Sequence, residues 1–283
     1  MSILVTGLDG FTGQYVKTEL EKAGQNVIGL ASDLTNRSDV TAEVLELQPK
    51  AVIHLAAIAF VDHGNVDDIY NVNLIGTRNL LHALSQSTEP INHVLLASSA
   101  NIYGNVTEGS LNESMPANPA NDYAISKYAM ERMASLWSEQ LPISISRPFN
   151  YTGVGQDEMF LIPKVVSHFK HKKQVIELGN LDVWREFNDV RFVANAYSKL
   201  IETPPSLSGS SINICTGVSY SLREAIAICE KITGHGIDIK INPEYVRTND
   251  VRVLKGDDTL LKSIIGDANT YSLEETLIWM LDS

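Results

Sequence analysis

The fold class of this 283-residue chain follows from residues 3–13, ILVTGLDGFTG. Residues 3–6 predict a short buried strand, and Gly7, Gly10 and Gly13 follow it where a helical pattern begins. Backbone N–H groups in such a turn lie at the positive end of the helix, and glycines allow a pyrophosphate to approach closely. The turn therefore predicts a dinucleotide site. The alternative, for the motif standing alone, is a glycine-rich strand–helix turn without a ligand.

Short apolar runs alternate with helical patterns through the first half of the chain. The predicted strands cover residues 3–6, 27–30, 51–55, 94–97 and 143–146, and the predicted helices cover 12–23, 41–47, 70–85 and 122–140. The runs are rich in Val, Ile and Leu with little polar alternation, which is typical of a parallel sheet covered on both faces. Few residues separate the second run from Asp33, so we expect a crossover helix and a strand to be missing there.

The character of the sequence changes after Arg147, where prolines and glycines punctuate shorter elements. We expect a dinucleotide-binding domain in residues 1–148. Residues 149–283 should form a smaller α/β substrate-binding region, with some segments returning to the first domain. Helices are predicted in this part at residues 221–233 and 273–281.

Tyr123 and Lys127 form the second informative motif, because four residues make about one helical turn and place both side chains on one face. A neighbouring ammonium favours phenolate, so we expect the pKa of Tyr123 to fall from about 10 toward neutral pH. A phenol tuned in this way can donate or accept the proton of a sugar hydroxyl. An exposed Lys beside a half-buried Tyr is the alternative for an isolated pair. With the glycine turn upstream, the pair indicates a nicotinamide-dependent enzyme.

Composition limits the partners of the chain. The formal net charge is −12, so we expect no general affinity for nucleic acid or anionic membranes. Cys215 and Cys229 match no metal-ligand spacing, which predicts two buried reduced thiols and no metal site. The apolar run at Ile3 begins too close to Met1 for a signal peptide, and no run reaches the roughly 18 residues of a membrane span. We therefore expect a cytosolic protein.

Six motifs in matching order resemble those of the extended branch of the short-chain dehydrogenase/reductase superfamily. They lie at residues 7–13, 54–57 (HLAA), 73–77 (NLIGT), 98–104 (SSANIYG), 123–127 (YAISK) and 147–150 (RPFN). The resemblance implies a Rossmann-type doubly wound α/β sheet, with Ser99, Tyr123 and Lys127 as catalytic residues. It implies NADPH or NADH as cofactor, contacted by Gly7, Gly10, Phe11, Thr12, Gly13, Asp33, Leu34, Leu55, Ala56, Ala57, Asn73, Ser98, Tyr123, Lys127 and Phe149. Taken separately, His54 reads as a satisfied core histidine and Asn73 as a residue that caps or kinks a helix.

The family includes dehydratases, epimerases, decarboxylases and reductases, so the fold alone does not choose the reaction. Departures from the family's sequence patterns favour one of these reactions. Dehydratases carry an Asp-Glu pair beside the catalytic hydroxyl, where this chain has Ala100 and Asn101. Neither residue can transfer a proton, which argues against dehydration. The epimerase-reductases that make GDP-fucose use a Cys and a His, but Cys215 and Cys229 lie far along the chain from the catalytic motifs. That distance argues against 3,5-epimerisation.

Segments 147–156, 179–191 and 247–250 resemble GDP-4-keto-6-deoxy-D-mannose reductases. The likeness implies substrate contacts from Ser99, Asn150, Arg185, Arg247 and Asp250, and the paired donors of a guanidinium suit phosphate oxygens. Tyr151 and Phe192 depart from the pattern, which often has His and Asp there. We expect reduction of a GDP-linked 4-keto-6-deoxyhexose at C4, giving GDP-D-rhamnose.

Three alternatives stay open. They are reduction of the same ketone to GDP-6-deoxy-D-talose, UDP-sugar 4-epimerisation, and dinucleotide binding without catalysis. The choice between NADPH and NADH is also open, since Ala31 and Ser32 follow the second predicted strand while Asp33 and Arg37 carry opposite charges. The resemblance further implies a homodimer, formed through the helices predicted at residues 70–85 and 122–140.

Overall fold

The computed structural model describes residues 1–59, 65–104, 109–203, 207–246 and 253–283. The strands are β1 Ser2–Thr6, β2 Asn26–Gly29, β3 Ala51–His54, β4 His93–Ala97, β5 Ser110–Leu111, β6 Ile143–Pro148, β7 Tyr151–Thr152, β8 Val175–Leu178, β9 Trp184–Arg185, β10 Asn188–Asp189, β11 Ser211–Ile214, β12 Tyr220–Ser221, β13 Asp238–Ile241 and β14 Val253–Gly256. The α-helices are α1 Phe11–Lys22, α2 Arg37–Leu47, α3 Val66–Tyr70, α4 Thr77–Ser85, α5 Asp122–Ala134, α6 Leu161–Lys170, α7 Val190–Ile201, α8 Leu222–Thr233, α9 Thr259–Ile265 and α10 Leu273–Asp282. A π-helical segment, Asn71–Gly76, joins α3 to α4.

The main sheet has six strands in the order β11-β6-β4-β3-β1-β2, and every pair of neighbours runs parallel. The predicted parallel α/β sheet is therefore confirmed. Within the described ranges β2 is an edge strand, which agrees with the shortened segment around Asp33. The strand order reverses between β1 and β3, and ligands of such sheets bind beyond the carboxyl ends of the strands at this reversal.

Helices cover both faces of the main sheet, which explains why its strands show no polar alternation. Val16 of α1 and Leu200 of α7 pack on one face, while Val44 of α2, Leu81 of α4 and Met130 of α5 pack on the other. Each of these side chains is fully buried, and burial of one such side chain is worth about 1.5–3 kcal/mol. α7 and β11 come from the second half of the chain but belong to this first layered unit.

A smaller unit lies beside the main sheet and is built from α6, α8 and α10 around Val165, Ile226 and Leu277. A four-stranded sheet of order β12-β9-β14-β5 and a parallel pair of β8 and β13 complete it. The two predicted helices of this region are confirmed as α8 and α10. No helix in the described ranges is both long and apolar enough to cross a membrane.

Three predicted helix boundaries were wrong. α2 begins at Arg37 because the Asn36 side chain accepts a hydrogen bond from the Asp39 N–H and caps the first turn. The helix predicted at 70–85 is composite, since the π-helical segment interrupts it. The helix predicted at 122–140 ends at Ala134 and continues only as a short 3₁₀ turn, Ser135–Trp137.

Candidate active site

The glycine turn lies at the carboxyl end of β1 and is closed by a hydrogen bond of 3.1 Å from Gly10 N to Gly7 O. A Cβ at Gly13 would lie 2.2 Å from Gly7 O, and one at Gly7 would lie 2.9 Å from Ala56 N. Gly7 also has φ +69°, a conformation that favours glycine. α1 starts at Phe11, and no side chain caps its first turn. Free helical N–H groups behind glycines that carry no side chain fit a pyrophosphate.

His54 at the end of β3 belongs to a buried hydrogen-bond chain. Its Nδ1 lies 2.7 Å from Thr6 Oγ1, and its Nε2 lies 2.8 Å from Thr77 Oγ1. Since Thr77 donates its proton to Asn73 O, it accepts from Nε2, which assigns the proton of the neutral ring to Nε2. Burial, helped by the charge of Lys127, lowers the pKa of His54 to about 3. His54 is thus a satisfied core histidine.

Thr6 Oγ1 also accepts from Ala56 N at 3.2 Å, so the hydrogen-bond chain reaches Ala56, whose backbone lies against Gly7. Asn73 continues the support from the other side. Its Oδ1 accepts from Ile58 N at 2.8 Å, and its Nδ2 donates to Ile58 O at 3.1 Å and to Ser126 Oγ at 3.0 Å. The predicted cofactor segment Leu55–Ala57 is therefore held from both ends. Direct contact of Asn73 with a cofactor stays a prediction.

Ser99, Tyr123 and Lys127 come together between the end of β4 and the first turns of α5. Tyr123 is half-buried and lies close enough to the Ser99 hydroxyl for that group to affect its pKa, while Ser99 Oγ accepts from Asn101 N at 3.1 Å. Lys127 is 3% exposed, and its Nζ donates to Ala97 O at 2.7 Å. A hydroxyl, a phenol and a buried amine thus converge at the carboxyl end of the main sheet.

The prediction of an acidic phenol was wrong. Desolvation raises the pKa of Tyr123 to about 12, against the opposing hydrogen bond from Ser99. Lys127 Nζ donates to the Ala97 carbonyl, and desolvation lowers the pKa of Lys127 to about 8. Spacing on a helix placed the pair correctly, but the direction of the shift depends on burial, which spacing does not report. Tyr123 is consequently a protonated phenol at neutral pH.

Glu131, one turn beyond Lys127, is a residue that sequence reasoning missed. Its carboxylate accepts from Arg147 Nε at 3.0 Å and Nη2 at 2.7 Å, and both side chains are buried. The negative charge of Glu131 raises the pKa of Lys127, opposing desolvation. The spacing of four residues from Lys127 was the signal that could have found it.

The remaining predicted cofactor residues lie in several environments. Ser98 is 2% exposed and, among the described residues, its Oγ has no hydrogen-bond partner, which leaves a buried hydroxyl to serve a ligand. Phe149 is buried in a cluster with Cys215 and Leu254. Leu34 is buried, and Asp33 is exposed with its carboxylate bound to Thr35 N and Oγ1 at 2.9 Å each.

Tyr151 links the glycine turn to the substrate-side part of the chain. Its hydroxyl lies 2.7 Å from Thr12 Oγ1, and its ring stacks on Phe11 at a centroid distance of 6.2 Å. Burial raises its pKa. Tyr151, where the family pattern often has His, is thus a second phenol near Tyr123. Its charge raises the pKa of Tyr123.

Apart from Ser99, the predicted substrate residues lie in the part of the chain after β6. Asn150 is exposed, and its backbone carbonyl accepts from Asn188 N at 2.9 Å. Arg185 is on β9, with Nη1 donating to Trp184 O at 2.9 Å. Arg247 and Asp250 lie outside the described residues.

The two thiols are free and buried, as predicted. Burial raises the pKa of Cys215 and raises that of Cys229 to about 12, so neither can act as a base near neutral pH. Within the described ranges no cluster of His, Cys, Asp and Glu could hold a metal ion.

The fold and the site define a class of nicotinamide-dependent enzymes. Its features here are a parallel sheet, a glycine turn at the strand reversal and a Ser-Tyr-Lys group at the carboxyl edge. The chain belongs to the NAD dependent epimerase/dehydratase family, whose model matches residues 3–215. It is an enzyme family of NAD(P)-dependent oxidoreductases that act on nucleotide sugars.

Two curated proteins and one solved structure are similar to this chain over almost its whole length. The chain is 38% identical over 277 residues to GDP-6-deoxy-D-talose 4-dehydrogenase of Aggregatibacter actinomycetemcomitans, covering 94% of this chain and 92% of the relative. It is 30% identical over 291 residues to GDP-6-deoxy-D-mannose reductase of Pseudomonas aeruginosa, covering 97% and 94%. The structure of RMD from Pseudomonas aeruginosa complexed with NADPH superposes with a TM-score of 0.89 at 29% identity, covering 99% of this chain and 96% of that one.

Proposed function

We propose that this protein catalyses NAD(P)-dependent hydride transfer at C4 of a GDP-linked 6-deoxyhexose, reducing the C4 ketone of GDP-4-keto-6-deoxy-D-mannose. The observation that carries the proposal is the grouping of Ser99, Tyr123 and Lys127 at the same carboxyl edge of the main sheet as the glycine turn. Both relatives named above act on GDP-6-deoxy sugars, which supports this substrate class.

A reduced nicotinamide, when bound, supplies the hydride. The described residues account for the proton. The phenol of Tyr123 stays protonated at neutral pH because its pKa is raised to about 12. It can therefore donate its proton to the oxygen as negative charge develops there, while the Ser99 hydroxyl stabilises the same charge. Donors fixed around one oxygen favour the transition state over the ketone.

The role proposed for Lys127 differs from the predicted acidification of the phenol. Its Nζ is positioned by Ala97 O, and Glu131 four residues away preserves part of its basicity. We infer that the ammonium, which is charged at neutral pH, binds the nicotinamide ribose. Asn150, Arg185, Arg247 and Asp250 are the proposed substrate contacts, with the arginines toward the diphosphate.

Two products are candidates, and the relatives support both. Reduction to GDP-D-rhamnose is supported by likeness to the mannose-series reductase, and reduction to GDP-6-deoxy-D-talose by the higher identity, 38%, to the talose dehydrogenase. The two products differ only in the face of C4 that receives hydride, so the same catalytic residues serve either.

The test is incubation of the purified protein with GDP-4-keto-6-deoxy-D-mannose and NADH or NADPH, with absorbance of the nicotinamide and NMR of the sugar as readouts. We expect stoichiometric nicotinamide oxidation and one C4 epimer. Absence of nicotinamide oxidation with either cofactor would refute the proposal. Interconversion of UDP-sugar C4 epimers without net nicotinamide consumption would establish the epimerase alternative.

We also propose a cytosolic homodimer. α4 and α5 support the dimer, since Ile75 just before α4 and Ile125 on α5 are each 42% exposed in the single chain. Exposed apolar side chains on neighbouring helices are suited to a second copy of the same surface. Light scattering should report twice the chain mass, and Ile125→Glu should shift it to the monomer mass while Ile241→Glu, a change of an equally apolar side chain elsewhere that is 53% exposed, should not.

A further inference from the structure

A carboxylate from α2 closes the turn that follows β2. Glu43 Oε1 accepts from Ala31 N at 2.8 Å, and Glu43 Oε2 accepts from Ser32 N at 2.7 Å. The Ser32 hydroxyl also donates to Oε2. Three donors on two consecutive residues therefore converge on one anionic group, an arrangement suited to binding an anion.

The location of this turn suggests its task. β2 pairs with β1 in parallel, so the turn lies at the same edge of the sheet as the glycine turn, one strand away. In dinucleotide folds the end of the second strand carries the group that reads the 2′ position of the adenosine ribose. Residues 30–32 contain no acidic side chain, but the fold brings one there from eleven positions beyond Ser32.

We propose that Glu43 makes this enzyme prefer NADH to NADPH by occupying the place of the 2′-phosphate. The inference rests on the nicotinamide binding of the proposed function. A ribose 2′-hydroxyl can donate to the carboxylate, which has acceptor capacity beyond its three bonds. A 2′-phosphate would meet a like charge and would find the donors of Ala31 and Ser32 already engaged.

Neighbouring charges do not compensate for Glu43. Asp33 directs its carboxylate to Thr35 within its own turn. The guanidinium of Arg37 lies with Nη2 2.6 Å from His82 Nε2 on α4, and six residues of helix place Arg37 and Glu43 on different faces of α2. Arg37 thus lies on the α4 side, near Arg78, whose charge also lowers the pKa of His82.

Glu43 is also ionised at neutral pH. Burial alone would raise the pKa of its carboxyl, but the hydrogen bonds from Ala31 and Ser32 outweigh it and lower the pKa below its usual value. The repulsion of a phosphate would therefore operate under ordinary assay conditions.

The test is equilibrium binding of NADH and NADPH, followed by the fluorescence of the nucleotides, on the full chain and on two variants. Glu43→Gln removes the charge but keeps the shape. Glu46→Gln is the matched control, since Glu46 is exposed on the same helix and carries the same charge. Circular dichroism establishes that both variants are folded.

We expect the unmodified protein to bind NADH at least about tenfold more tightly than NADPH, because a like charge at close range opposes the phosphate. Glu43→Gln should reduce this ratio by about tenfold or more, chiefly through tighter NADPH binding, and Glu46→Gln should leave it unchanged. Equal or tighter binding of NADPH by the unmodified protein would overturn the inference even if Glu43→Gln failed to fold. So would a ratio that Glu43→Gln leaves unchanged.

The two proposals fail separately. If both dinucleotides bind but the ratio is near one, the inference about Glu43 is wrong and the oxidoreductase function stands. If neither dinucleotide binds, the proposed function is refuted and the inference falls with it.

Discussion

Replacing Glu131 with Gln tests the buried ion pair near Lys127, the proposed catalytic lysine. Glu131 and Arg147 have side chains only 6% and 10% exposed, and the carboxylate accepts two hydrogen bonds from the guanidinium. The amide of Gln keeps one acceptor but leaves a buried cation without its counter-charge. Breaking a buried pair from one side costs about 3–5 kcal/mol, and we expect the lower end, about 3 kcal/mol, because the geometry is conserved.

The assay is thermal unfolding of the purified protein, followed by circular dichroism. A loss of about 3 kcal/mol corresponds to a fall in Tm of about 5 °C for a cooperative unit of 283 residues. Glu89→Gln is the control, since Glu89 forms a 2.7 Å pair with Lys50 in which the side chains are 55% and 38% exposed. We expect it to leave Tm unchanged, because solvent screens such a pair.

A second readout separates the role of Glu131 near Lys127 from its role in stability. Glu131 raises the pKa of Lys127, which desolvation holds at about 8, so removing its charge should lower that pKa further. Lys127 is charged below its pKa and neutral above it. The fall of reductase activity on the alkaline side should therefore move to lower pH in Glu131→Gln.

Two results would refute this reasoning. A Tm within about 1 °C of the unmodified protein would show that the pair is not buried as described. An unchanged alkaline limb, in a variant that does lose stability, would show that Glu131 does not act on Lys127. Replacing Glu131 and Arg147 together by Leu and Met should recover much of the lost Tm, because no unpaired charge stays buried.

Three further predictions concern the catalytic phenol, the glycine turn and the two thiols. Tyr123→Phe should lower turnover by about 10²–10⁴-fold with nicotinamide binding retained, since only the proton donor is removed; near-normal turnover would contradict the assignment. Gly13→Ala should abolish dinucleotide binding in titrations, because its Cβ would lie 2.2 Å from a backbone oxygen, while Gly236→Ala, whose nearest neighbour would be at 4.0 Å, should bind normally. Cys215 and Cys229 should not react with a thiol reagent at neutral pH until the protein is unfolded, and rapid labelling of the native protein would show that they are accessible.

Local pattern was sufficient to predict much of the fold. Apolar runs without polar alternation predicted the parallel strands, and glycine spacing after the first run predicted the turn at the start of α1. The four-residue spacing of Tyr123 and Lys127 predicted that both lie on one helix. These features depend on backbone geometry and side-chain periodicity, which repeat over a few residues and can be read without knowing the neighbours in space.

The π-helical interruption before α4 illustrates the limit of such patterns. Residues 70–85 have a helical periodicity, yet the Asn73 side chain is bound by Ile58 and Ser126, which lie 15 and 53 residues away. Those contacts exist only after the strands have assembled, so the periodicity predicted the helix and missed its interruption.

By itself the sequence therefore predicted the parallel sheet, the glycine turn after β1 and the candidate catalytic group. The tertiary structure alone decided the electrostatics of the site: the raised pKa of Tyr123, the pairing of Glu131 with Arg147 and the reach of Glu43 to the turn after β2. The physical reason is that desolvation and Coulomb interactions depend on distances in space, and the partners that set them are separated along the chain.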